Sequence, residues 1–174
     1  MKKYIRTDVY TVDDEGASTK RLIAKDPSTR VRTLYRLAED PDWWVKEAVA
    51  SNPNTPLGLL EKLAEYDGHL ASSVYRAIAK NPNVSIDLMY KLADTSDSGV
   101  LTSLARNLKT PPKLLSWIAH KCSTDRAMVY YWLGCNPNTP KTVLNEIASS
   151  AYMPARNVAN RTLREGAWCN DLFG

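Results

Sequence analysis

The five-residue stretch Asn-Pro-Asn-Thr-Pro stands at residues 52–56 and again, unchanged, at 136–140. Aligned on its first residue, the chain shows equivalent positions at Asp26, Asn52, Asn81, Asn107, Asn136 and Arg161, spaced 26, 29, 26, 29 and 25 residues, a mean of 27. A period in that range marks stacked supersecondary units. The side chains around each anchor agree. Eight places after it stand Leu34, Leu60, Met89, Leu115 and Leu144. Eleven after stand Leu37, Leu63, Leu92, Ile118 and Ile147, and twelve after, always alanine. With the residues at +7, these make one apolar face of an amphipathic helix. A second helix precedes the anchor. It carries Ile23, Val49, Ile78, Leu104, Leu133 and Val158 at −3, and Val45, Val74, Val100 and Val129 at −7, where Pro154 breaks the pattern. At −2 the residue is always small (Ala24, Ala50, Ala79, Ala105, Gly134, Ala159), which lets neighbouring helices approach closely.

Within this pattern the motif reads as a stop and restart. Asn52 and Asn136 suit a helix C-terminus in the left-handed conformation, and Pro53 and Pro137 cannot continue the helix. Thr55 and Thr139 are expected to be N-caps, with Pro56 and Pro140 at the first helical position. Each unit is then a short helix, an Asn-Pro turn, a helix of about ten residues and a variable loop. Such a unit cannot bury its apolar face alone and must stack on its neighbours. The expected fold is an all-α solenoid of about five repeats over residues 21–164. Residues 1–20 would cap the first repeat or stay partly mobile, and 165–174 would cap the other end.

At 174 residues, 44% hydrophobic and 24% charged, the chain reads as a soluble globular protein of one domain or one short array. No apolar run is long enough for a membrane span, and no secretory signal follows Met1. Three scattered cysteines, Cys122, Cys135 and Cys169, read as reduced thiols, so a cytoplasmic setting is expected. The net charge of +4 does not by itself separate a nucleic-acid binder from other basic proteins.

The stretch WWVKEAVASNPNTPLGLLEKLAEYDG, residues 43–68, resembles the leucine-rich repeat variant, whose repeat runs as VRxxVAxNPxTPxxLLxxLAxDxD. Residues 74–97 and 132–149 resemble it too, and the likeness extends over about 21–164. It implies HEAT-like alternation of short 3₁₀-type and longer α-helices in a right-handed superhelix. It implies a binding scaffold with no shared chemistry. A founding member carries an N-terminal cysteine cluster for an iron–sulfur centre; no cysteine precedes Cys122 here, so neither that cofactor nor any other is expected.

Positions −5 and −1 lie opposite the apolar face of the helix before the anchor. They read Arg21/Lys25, Glu47/Ser51, Arg76/Lys80, Thr102/Arg106, Tyr131/Cys135 and Arg156/Asn160. Stacked, Arg21, Lys25, Arg76, Lys80, Arg106 and Arg156 would form an interrupted basic ladder. It could track phosphates, with Tyr75, Tyr130 and Tyr131 near enough to stack on bases; alternatively it is a solvated face. Trp117 and His120 replace the charged pair of other repeats and, with Trp44 and Tyr131, are candidate protein contacts. Packing is the competing reading for each, as it is for Trp43. His120, Cys122 and Cys135 lack the spacing of a zinc site, and two histidines leave little material for a nucleophilic triad. A HEAT-like nucleic-acid enzyme is a third reading, without a motif to name its catalyst. The expected function is therefore a non-enzymatic scaffold binding a protein partner, with nucleic acid as the alternative and no membrane, metal or small-molecule substrate.

Overall fold

The computed structural model describes residues 16–95, 97–121 and 126–166, which form eleven α-helices and no strand. In chain order they are α1 (Ala17–Lys25), α2 (Val31–Ala38), α3 (Trp43–Ser51), α4 (Leu57–Leu63), α5 (Ala71–Lys80), α6 (Ile86–Ala93), α7 (Ser98–Arg106), α8 (Pro112–Lys121), α9 (Arg126–Cys135), α10 (Lys141–Ala148) and α11 (Met153–Glu165). Odd-numbered helices precede an anchor and even-numbered ones follow it. The expected 3₁₀ helix does not occur among them. The helix before the anchor is also the longer in most repeats: α3 has 9 residues against 7 in α4, and α5 has 10 against 8 in α6. The apolar places at −7 and −3 are four residues apart, just over one α-helical turn, so an α-helix buries both on one side.

The chain divides into two compact units, one up to Val84 and one from Ser85. In the first, α3 packs between α1 and α5 to make a layer, and α2 and α4 lie against it. In the second, α9 packs between α7 and α11, with α6, α8 and α10 against that layer. Each unit thus shows the sequential packing of a helical-repeat solenoid. The core is the aligned apolar set. Leu34, Leu60, Met89 and Leu115 are fully buried, as are Val45, Val74, Val100 and Val129. Each such side chain contributes about 1.5–3 kcal/mol, and a helix of this length would be marginal without that packing. The 1–20 and 165–174 segments fall largely outside the described residues; α1 begins at Ala17 and α11 ends at Glu165.

The motif works differently from its sequence reading. Asn52 has φ −72° and ψ 126°, Asn81 φ −67° and ψ 136°, and Asn107 φ −74° and ψ 121°, all extended rather than left-handed. Any residue adopts that backbone, so the need for asparagine lies in its side chain. Asn52 Nδ2 donates to the Ala24 carbonyl at 2.7 Å and to that of Asp26 at 2.8 Å. Asn81 does the same to Ala50 and Asn52, and Asn136 to Ala105 and Asn107. Each amide oxygen accepts the N–H two residues on, at Asn54, Asn83 and Asn138. Those residues reach back in turn, as Asn83 Nδ2 does to Pro53 and Thr55. The threonines do not cap the next helix. Thr55 Oγ1 donates to Val49 O at 2.5 Å, Thr110 to Leu104 O at 2.6 Å and Thr139 to Leu133 O at 2.6 Å, closing the helix that has just ended. The N-cap places fall to Pro56 and Pro140.

The last anchor shifts by one residue. Thr162 Oγ1 donates to Gly134 O at 2.6 Å, the carbonyl that an anchor asparagine would take. With Thr162 rather than Arg161 as the sixth anchor, the final spacing becomes 26 and Ala155 replaces Pro154 at −7. Ala155 is fully buried and mends the break at −7, while the −2 place passes from Ala159 to the half-buried Asn160.

Candidate interaction groove on α1, α3 and α5

In the first unit the outer face of the odd-numbered helices encloses a cavity of about 330 Å³. It is lined by Arg21 of α1; Trp43, Trp44, Glu47 and Ser51 of α3; and Ser73, Arg76, Ala77 and Lys80 of α5. Most are the −5/−1 places of three successive repeats, and Trp44 and Ser73 share the −8 place. Helix phase explains the set: residues three and four apart share a face, and side chains lean toward the helix N-terminus.

Local chemistry places the indoles. Asp42 Oδ1 accepts the Trp44 N–H at 2.9 Å, the N-cap of α3, and the Asp42 N–H is held by Asp40 at 2.9 Å. Lys20 Nζ binds Asp40 Oδ2 at 2.8 Å, tying α1 to the start of α3. Burial pushes the Asp40 carboxyl up. The bonds from Lys20 and the Asp42 N–H, with the charges of Lys20 and Lys46, outweigh it and hold the group below its ordinary value. Trp43 and Trp44 meet edge to face, with ring centroids 5.4 Å apart at 81°. Trp44 stays 46% exposed, so it is a surface of the groove rather than core.

Charge alternates across the floor. The Arg21 guanidinium lies 5.2 Å from the Trp44 ring centroid and 4.0 Å from Glu47 Oε2. Its buried Nε makes no hydrogen bond. On α5, Arg76 donates from Nε to Ser72 O at 3.2 Å and from Nη2 to Ser73 Oγ at 2.9 Å. Its own helix therefore holds the planar fork in place while leaving other N–H donors unspent. The structure thus brings Arg21, Trp44, Arg76 and Lys80 together. Lys25, on the same side of α1 as Arg21, is exposed beyond the lining.

The remaining candidates belong to the second unit. Arg106 lies over the Trp132 ring at 4.2 Å, and Trp132 meets Tyr131 edge to face at 5.3 Å. Arg156 is half-buried on α11. Cys135, at a −1 place expected to lie opposite the apolar face, is fully buried with Val158 against Tyr131 and Trp132. The two aromatic rings cover the −1 place there. Trp117 is 38% exposed, and Lys121 Nζ lies 4.2 Å from its centroid while donating to the carbonyls of Ala93 and Asp94. One role of this indole is therefore to hold a lysine on the end of α6. The His120 Nδ1–H donates to Ser116 O at 2.6 Å, within its own helix. Cys122 lies outside the described residues. Among those described, no three metal-ligating side chains cluster, and no helix is long and apolar enough to cross a membrane.

The sequence reading missed Ser73 as part of the groove; its shared −8 place with Trp44 was the available signal. It also treated Glu47 as an interruption, whereas the carboxylate belongs to the floor.

Residues 43–68, from α3 through the loop after α4, match the family model described as leucine rich repeat variant. No curated protein and no solved structure matches the chain.

Proposed function

With residues 43–68 a leucine-rich repeat variant unit, we propose that this helical-repeat protein is a non-enzymatic scaffold for a protein partner. A segment of that partner lies in the groove over α1, α3 and α5. The carrying observation is the half-exposed Trp44 set among Arg21, Arg76 and Lys80 in a 330 Å³ cavity. An aromatic anchor with arginine beside it is the composition that carries binding energy at protein interfaces. Glu47 in the floor argues against the nucleic-acid alternative. A phosphate backbone bears a charge at every nucleotide and would meet that carboxylate wherever it crossed α3.

A random peptide library displayed against the full-length protein tests this reading. Peptides should be enriched, and their binding should be lost with Trp44→Ala and with Arg76→Glu. No enrichment, or enrichment indifferent to both substitutions, overturns it. Oligonucleotide binding that falls steeply with salt and disappears with Arg76→Glu would transfer the groove to nucleic acid.

A further inference from the structure

The three odd-numbered helices of the first unit present two parallel rows of aligned side chains. The −5 row reads Arg21, Glu47, Arg76 and the −1 row reads Lys25, Ser51, Lys80. In both, cationic positions on α1 and α5 flank a non-cationic position on α3. A chain crossing the helices therefore meets positive, negative or neutral, then positive charge. The indole of Trp44 belongs to the middle helix. Arg21 is partly neutralised by Glu47, which leaves Lys25 as the more exposed cation at that end.

We infer that the segment recognised here is an extended peptide carrying two acidic side chains separated by uncharged residues, one of them apolar. This rests on the protein-scaffold reading above. The spacing follows from the packing. Adjacent helix axes lie about 8–10 Å apart, so α1 and α5 are separated by roughly 16–20 Å. An extended chain rises about 3.3 Å per residue, which places the two carboxylates roughly five or six residues apart. One carboxylate meets the pre-organised Arg76 fork and Lys80, and the other meets Lys25 and Arg21. The apolar residue between them packs on the exposed part of Trp44. Glu47 acts as a selectivity element: it disfavours a third acidic residue at the centre, and with it any uniformly charged polyanion.

The test uses fluorescein-labelled synthetic peptides and the full-length protein at low salt. In the first peptide, two glutamates flank four uncharged residues that include a leucine. The second has the same composition with both glutamates at the centre, and the third probe is an oligothymidylate of equal length. The first peptide should bind roughly fivefold or more tightly than the second. Arg76→Glu with Lys80→Glu should weaken it by roughly tenfold. Glu47→Gln should narrow the gap between the two peptides. Equal binding of both peptides, or a gap unchanged by Glu47→Gln, overturns the spacing rule. Tighter binding of the oligothymidylate overturns the peptide occupant. If neither peptide binds while the displayed library still yields Trp44-dependent sequences, the acidic chemistry is wrong and the scaffold reading stands.

Discussion

The side-chain amide of Asn81 donates to the main-chain carbonyl of Asn52 at 2.8 Å, so one copy of the repeat's anchor holds the next. The same amide reaches Ala50 O at 2.7 Å, and its oxygen receives the Asn83 N–H at 2.8 Å. Asn81 is buried, and so are the carbonyls it serves. Without it the buried Ala50 carbonyl would lack a partner and the Asn52 carbonyl would keep only the Thr55 N–H, and a buried orphan costs about 1–3 kcal/mol. Asn81→Ala should therefore lower stability by about 2–4 kcal/mol in urea unfolding. Asn81→Asp should be at least as harmful, because it removes the donors and sets a carboxylate against two carbonyls. If the residue mattered only for backbone conformation, alanine would be tolerated, since the backbone is extended.

Thr162 gives the corresponding test in the second unit. Its hydroxyl serves Gly134 O, and the site is buried. Thr162→Val keeps the shape and removes the bond, and should cost about 1–3 kcal/mol. Arg161→Ala, at the neighbouring place, should stay within about 0.5 kcal/mol, because Arg161 is exposed and its ion pair with Glu165 is a surface one. Equal effects of the two substitutions would return the sixth anchor to Arg161.

The lowered pKa of Asp40 makes stability depend on pH with a definite sign. The folded state holds this carboxyl below its ordinary value of 3.8. Its contribution is present above that value and fades as pH falls through the folded one. Between pH 5 and 2 the parent protein should therefore lose more stability than Asp40→Asn. The two stability curves, measured by urea unfolding at each pH, should converge at the acid end. Parallel curves would show that Asp40 does not change its proton affinity on folding.

Arg106 and Trp132 test whether guanidinium–indole contacts hold successive odd-numbered helices together. The guanidinium carbon is 4.2 Å from the ring centroid, and Arg106 is half-buried. Arg106→Ala should cost about 1–2 kcal/mol through lost cation–π attraction and stem packing. Arg106→Lys should restore only part of that, because an ammonium lacks the planar stack. Full rescue by lysine, read from the melting temperature, would reduce the contact to simple charge.

The apolar face of each helix was legible in the chain because burial follows helical phase: Leu34, Leu60 and Met89 recur at one offset and are all buried. The all-α repeat and the likeness of residues 43–68 to a leucine-rich repeat variant followed from the same regularity. The groove was partly legible, since Arg21, Arg76 and Lys80 occupy repeated places. Its concavity and the part played by Glu47 were not, because both depend on how side chains of adjacent helices fill the space between them. Trp117 reads as an exposed anomaly in sequence, and only the fold sets Lys121 against it.

Asn-Pro-Asn-Thr-Pro shows where this division falls. The sequence by itself determined that a helix stops and another starts there, because proline lacks an N–H and the apolar pattern is interrupted. It determined the repeat length and the buried face for the same local reasons. Only the tertiary structure decided why the anchor is asparagine and why the sixth is Thr162. The groups they satisfy lie in the preceding repeat, some 28 to 31 residues back, at Ala24, Ala50, Ala105 and Gly134. Those carbonyls come within reach of a side-chain donor only when the repeats have stacked.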